Sequence, residues 1–230
     1  MDILLEGVVV IVGNYGSGKT EIAINLAAHR KAAGGSVRIA DLDLVNPYFR
    51  TRDARRLLEA TGVEVVLPPE AYLHADLPVL SPAVAGMLRR PADLVLLDVG
   101  GNDVGATVLA ALGDVFSEVA FRMLQVVNPF RPFTRTHREC RRIQGEIEAA
   151  SRLRVDGLVC NPNLMDETRP DHVIEGYSFC RGLAGATGLP LELVAVPSAI
   201  ASEVAADIVG CPLLPIRRHL VPPWQREGGG

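Results

Sequence analysis

The stretch Gly13-Asn14-Tyr15-Gly16-Ser17-Gly18-Lys19-Thr20 decides how this chain is read. It has the spacing G-x-x-x-x-G-K-[ST], with the apolar run Gly7-Val8-Val9-Val10-Ile11-Val12 before it and Glu21-Ile22-Ala23-Ile24-Asn25-Leu26-Ala27-Ala28 after it. Val8 to Val12 reads as a buried strand and the segment from Glu21 as a helix. A glycine-rich turn between the two lets backbone N–H groups curl around a phosphate, because residues without Cβ reach the required φ/ψ and allow close approach. Lys19 is then expected to reach the β- and γ-phosphates and Thr20 to ligate Mg²⁺. The helix that starts there turns the positive end of its dipole toward the anion. Gly13 to Thr20 make up the expected phosphate-binding loop and, together with Glu21, belong to the expected nucleotide-binding set.

The rest of the chain bounds this reading. Its 230 residues suit one large α/β domain over residues 1–220, followed by a flexible tail, Val221-Pro222-Pro223-Trp224-Gln225-Arg226-Glu227-Gly228-Gly229-Gly230. The net charge of −4 argues against a broad nucleic-acid surface. No apolar run reaches membrane-spanning length and no charged leader precedes the first strand, so a cytoplasmic protein with no membrane partner is expected. Cys140, Cys160, Cys180 and Cys211 stand singly, without a C-x-x-C or a Cys/His pair at zinc spacing, and read as reduced structural thiols.

Outward from the phosphate loop, Ala33-Gly34-Gly35 ends the first helix and Ser36 to Asp43 reads as a strand ending in carboxylates. In open parallel sheets ligands bind at the carboxyl ends of the strands, so Asp41 and Asp43 should emerge beside the loop. Leu44 to Arg52 is a polar and aromatic loop, followed by a helix that carries Asp53, Arg55, Arg56, Leu57 and Leu58. Val63 to Leu67 is a strand candidate stopped by Pro68-Pro69, and Ser81 to Arg90 a short helix with Ser81 at the N-cap and Pro82 at N1. Ala92-Asp93-Leu94-Val95-Leu96-Leu97-Asp98 is the second strong signal: a continuous apolar run suited to a central parallel strand, with a carboxylate at its tip for the Mg²⁺ shell. The glycines of the following Val99-Gly100-Gly101-Asn102-Asp103 permit a mobile segment that could respond to a γ-phosphate.

Further elements follow in order: a helix from Thr107 to Leu112, a strand from Phe121 to Asn128 with Arg131 and Arg135 near its carboxyl end, and a charged helix from Thr134 to Arg152. Val155 to Asn161 is a strand whose terminal Asn161 either meets a purine base or belongs to an Asn/Pro turn. A helix from Glu175 to Thr187, a strand from Leu191 to Pro197, a helix from Ala199 to Val209 and an edge strand within Cys211 to Ile216 complete the chain. The expected fold is a three-layer α/β/α arrangement with a mostly parallel sheet.

This order of a phosphate loop, a D-x-D strand end, a D-x-G-G strand end and an Asn-tipped strand resembles the MinD/ParA/Mrp group of P-loop NTPases, in the SIMIBI class. The resemblance implies that Asp43 orients the attacking water, that Thr20, Asp43 and Asp98 surround Mg²⁺, and that Asp98 with its glycines forms a switch segment. It further implies that Asn161 reads the base while Pro197 and its neighbours close over it. Proteins of the group dimerise around nucleotide and pass the switch state to a client protein, so a homodimer and an unidentified client are expected.

Three departures qualify the resemblance. The group carries a second lysine directly after the first glycine, where this chain has Asn14; Arg50, Arg52 or Arg131 would have to supply such a charge, and the loop is closer to that of the nickel-insertion GTPases. No cysteine follows Asp98, so no iron–sulfur cluster is expected, and the prolines Pro215, Pro222 and Pro223 replace a membrane-binding amphipathic helix. Guanine readers use N-K-x-D; Asn161-Pro162-Asn163-Leu164 has neither the Lys nor the Asp, and Asn163-Leu164-Met165-Asp166 lacks the Lys. ATP is therefore expected, with GTP as the alternative. The expected activity is a Mg²⁺-dependent ATPase switch. Its rivals are an ATP-dependent synthetase or kinase acting on a small carboxylate and a GTPase metallochaperone.

Overall fold

The structure, a computed structural model, describes residues 2–43, 54–67, 82–101, 103–204 and 210–220. The expected loop before Asp53, the N-cap Ser81 and the C-terminal tail lie outside the described residues, as do Arg50 and Arg52. The elements run β1 (Gly7–Gly13), α1 (Lys19–Ala32), β2 (Val37–Leu42), α2 (Arg55–Ala60), β3 (Glu64–Val66), α3 (Pro82–Leu88), β4 (Leu94–Val99) and α4 (Asp103–Ala110). They continue with α5 (Gly113–Glu118), β5 (Phe121–Val127), α6 (His137–Ser151), β6 (Gly157–Cys160), α7 (Pro170–Thr187), β7 (Leu191–Pro197) and β8 (Leu213–Ile216).

The strands form one eight-stranded sheet in the order β3-β2-β4-β1-β5-β6-β7-β8. The sequence led us to expect a mostly parallel sheet. Among the described residues every pairing is parallel, including that of the edge strand β8 with β7.

Alternation along the central strands builds the two faces. Val9 and Ile11 of β1 and Leu94 and Leu96 of β4 pack with Ile22, Leu26 and Ala27 of α1. Val8, Val10 and Val12 with Val95, Leu97 and Val99 pack on the other side with Met87, Leu109 and Ile147. A third cluster joins Cys160 and Val194 to Val173, Tyr177 and Cys180 of α7. A strand buried on both faces needs a continuous apolar run, which is why β1 and β4 read so clearly.

The largest departures from expectation lie in the second half. The helix expected from Thr107 to Leu112 runs instead from Asp103 to Ala110 as α4, a second helix, α5, follows it unforeseen, and α7 begins at Pro170 rather than Glu175. Proline at the first helical position, following Arg169 in extended conformation, was a usable start signal there. α6 starts at His137 instead of Thr134, because Thr136 and Glu139 close a capping box on its first turn. The helix expected from Ala199 is a short 3₁₀ turn, Ser198–Ile200, followed by turns, and residues 205–209 lie outside the described set.

Candidate functional site

Parallel strands point their carboxyl ends to one edge of the sheet, and the expected site residues gather there. Most of them line a cleft of about 390 Å³, with Gly16, Lys19, Thr20 and Asp43 at one end and Asn163, Asp166, Pro197 and Arg218 among its other walls, whereas Gly13, Asn14, Ser17 and the fully buried Asp98 are not part of its lining.

The phosphate loop bridges β1 and α1. Ser17 N donates to Asn14 O at 3.2 Å, and Ile22 N to Gly18 O at 3.0 Å where the helix begins. Gly18 caps α1 with φ +91°, and a Cβ there would lie 2.2 Å from Nδ2 of Asn161, so both the backbone angle and the space demand glycine. The Lys19 side chain is buried and its Nζ donates to Asn14 O at 3.0 Å, curling back over the loop. Burial pulls the Lys19 ammonium below its ordinary value, while the carboxylates of Asp98 and Asp43 act in the opposite direction.

Those carboxylates come from neighbouring strands. β2 and β4 pair with Asp41 beside Asp98, and Asp43 follows the end of β2. Asp41 is fully buried and accepts from Asp43 N at 3.0 Å, so it shapes the strand end that presents Asp43. The Asp43 carboxylate lies against Gly100, since a Cβ at that glycine would be 2.7 Å from Oδ1. Gly101 approaches the phosphate loop so closely that its Cβ would meet Tyr15 N at 2.8 Å. The segment after β4 thus touches both Asp43 and the tip of the loop.

The opposite wall was only partly foreseen. Asn161, at the tip of β6, donates from Nδ2 to Ser17 O at 2.7 Å and so braces the phosphate loop, while also lining the cleft. Asn128 at the end of β5 donates to Asn163 O at 2.9 Å and accepts from Phe130 N at 3.1 Å. Asp166 faces Arg218 at 3.5 Å, which links the loop after β6 to the segment after β8.

Glu21, expected to bind nucleotide, has its carboxylate engaged by the backbone N–H groups of His219 and Leu220. Burial pushes it above its ordinary value, against those two hydrogen bonds and the charge of Arg218. Asn25, one turn on, accepts from Arg217 N and donates to Arg217 O, both at 2.9 Å. Together they tie residues 217–220 to α1, and in this way Arg218 and Leu220 become cleft wall. No local pattern signalled these residues. Of the arginines considered as charge donors, Arg131 lines the cleft, and Arg50 and Arg52 lie outside the described residues.

The four cysteines are free and buried. Burial pushes the Cys140 thiol up to about 12 and Cys211 up to about 11, and raises Cys160 as well, the reverse of what thiolate metal ligands need. Among the described residues no group of three or more His, Cys, Asp or Glu side chains is placed to hold a metal ion, and no helix is long and apolar enough to cross a membrane.

No protein-family model and no curated protein matches the sequence. The structure is similar to the cell division protein FtsY of Thermotoga maritima, with a TM-score of 0.58, 19% identity and coverage of 84% of this chain and 62% of that one. It is similar to chloroplast FtsY of Physcomitrella patens, with a TM-score of 0.57, 23% identity and coverage of 89% and 65%. Signal recognition particle 54 kDa protein of Aeropyrum pernix, solved with GDP, gives a TM-score of 0.56, 18% identity and coverage of 82% and 41%. The chain therefore spans less than two thirds of the length of each. With its parallel eight-stranded sheet and the phosphate loop between β1 and α1, this chain has the α/β P-loop NTPase fold of SIMIBI type.

Proposed function

We propose that the protein is a Mg²⁺-dependent nucleoside triphosphatase that acts as a switch toward a partner protein. The single observation that carries the reading is the placement at one sheet edge of Lys19, which opens α1 after β1, with Asp98 near the end of β4 and Asp43 just after β2. These three strands are adjacent, and the Gly100–Gly101 segment after β4 packs against both Asp43 and the phosphate loop. The hydroxyl of Thr20 and the carboxylates of Asp98 and Asp43 are hard oxygen donors, the kind Mg²⁺ takes when phosphate oxygens and water complete its shell. Bound there, Mg²⁺ would neutralise charge on the β- and γ-phosphates.

Gly13 to Thr20 cradle the phosphates through backbone N–H groups, and Lys19 exchanges its contact with Asn14 O for phosphate oxygens. Asp43 orients a water. That water adds to the γ-phosphorus, the bond to the β–γ bridging oxygen breaks with its electron pair staying on the diphosphate, and a water proton leaves with the inorganic phosphate. Gly100 and Gly101, in contact with Asp43 and Tyr15, carry the change to the surface, where a client protein or a second copy of the chain reads it. The MinD/ParA resemblance rests on motif order. Asn14 removes its cross-subunit lysine, so activation across a homodimer does not follow from it.

The sequence favoured ATP because a complete N-K-x-D is missing. A specific observation favours guanine: Asp166 lines the cleft, and a carboxylate there accepts from the N–H groups on the guanine edge. GDP in the Aeropyrum pernix structure agrees with this. The metallochaperone reading finds no support in the four cysteines, all of which are buried. Single-turnover assays with Mg-GTP and Mg-ATP test the proposal. Asp43→Ala should slow hydrolysis about 100-fold while leaving the nucleotide Kd within about threefold. Unaltered turnover in that variant removes Asp43 from the mechanism, and absence of hydrolysis by the wild type rejects the enzyme reading.

A further inference from the structure

The loop that follows β5 is held unusually firmly for a connector. Arg131 N donates to Asn128 O at 3.2 Å, Thr134 N to Arg131 O at 3.3 Å, and Thr134 Oγ1 to Asn128 O at 2.6 Å. Asn14, inside the phosphate loop, donates from Nδ2 to Pro132 O at 3.1 Å. The residue standing where the MinD/ParA group has its second lysine is therefore bound to the loop that carries Arg131.

The Arg131 side chain lines the same cleft as Gly16, Lys19 and Thr20. Its Nε is buried and makes no hydrogen bond among the described residues. The other two cations of the cleft wall are engaged, Lys19 with Asn14 O and Arg218 with Asp166. A buried guanidinium N–H without an acceptor is costly, and that cost is removed when a ligand brings the acceptor. Phosphate oxygens suit a guanidinium in both charge and geometry.

We propose that Arg131 is a phosphate ligand of the bound nucleotide, supplying from within the same chain a second cation that the phosphate loop lacks at Asn14. Asn14 is then a positioning residue, fixing the Arg131 loop against the phosphate loop. This rests on the nucleotide-binding reading above.

The test compares the affinities of GTP, GDP and GMP for the wild type and for Arg131→Ala, Arg131→Gln and Arg131→Lys, alongside thermal melting. A phosphate contact predicts a graded loss in Arg131→Ala, about tenfold or more for GTP, less for GDP and least for GMP, with much of the GTP affinity restored in Arg131→Lys. Arg131→Gln keeps a hydrogen-bonding side chain without the charge and carries the same comparison if the alanine variant does not fold. An equal loss for all three nucleotides would mean a base or ribose contact and overturns the proposal, as does unchanged GTP affinity in a wild type that binds GTP. The same comparison is run with ATP, ADP and AMP, and a wild type that binds neither series overturns the nucleotide reading itself, and this proposal with it.

Discussion

At the proposed phosphate end of the cleft, one unbroken run from Gly13 to Thr20 joins β1 to α1, and Asp43 and Asp98 stand at the ends of the neighbouring strands β2 and β4. At the other end, the wall is assembled from Asn128 after β5, Asp166 after β6, Pro197 at the end of β7, and Arg218 beyond β8. The first is local chemistry on a strand-to-helix turn. The second exists only because the sheet order sets β5, β6, β7 and β8 side by side and because Glu21 and Asn25 of α1 bind the segment after β8. A change at the phosphate end should therefore act on every nucleotide alike, whereas a change at the other end should act on which base is preferred.

Breaking the phosphate end gives the largest effect. Gly18→Ala requires a left-handed angle of an L-residue and drives a methyl into Asn161. Denaturant titration should show a loss of about 2 kcal/mol or more, with GTP and ATP affinity falling together. A stable variant with normal binding of both would show that the Gly18–Asn161 contact is slack.

Asp166→Ala sharpens the contrast at the other end. It should reduce the ratio of GTP to ATP affinity about tenfold while leaving the phosphate grip unchanged, as competition binding would report. Equal loss for both nucleotides would place Asp166 outside base recognition.

The smallest effect concerns the tie between the two ends. Because burial raises the folded-state value of Glu21 above its ordinary value, its contribution to stability is fully present below about pH 4.5 and is lost as pH rises through the folded value. Glu21→Gln should remove that slope from the urea midpoint measured between about pH 4.5 and 7. A midpoint with the same pH dependence in both proteins would separate the Glu21 carboxylate from this linkage.

The contrast also explains what was legible in the sequence. β1, β4 and β7 were legible because buried parallel strands are continuous apolar runs, and the gathering of Lys19, Asp43 and Asp98 at one sheet edge because Asp43 and Asp98 stand at strand ends and Lys19 opens the helix after β1. Asn161 was found as a site residue, but its hydrogen bond to Ser17 O depends on the spacing between β1 and β6 across β5, which no local pattern encodes. The tie between Glu21 and residues 219–220 joins positions nearly two hundred apart in the chain, so Glu21 read as one more residue of the phosphate loop. The expected end of α4 fell at Leu112 rather than Ala110 because Leu109 and Leu112 are both core and keep the apolar spacing of one helix, and α5 had no such run to announce it.

Calorimetric titration of the wild type and of Lys19→Ala with Mg-GTP and Mg-ATP tests the central claim most directly. The account predicts saturable one-site binding to the wild type and a loss of at least about 100-fold for both nucleotides in a folded Lys19→Ala protein. Equal affinity in the two proteins would contradict it.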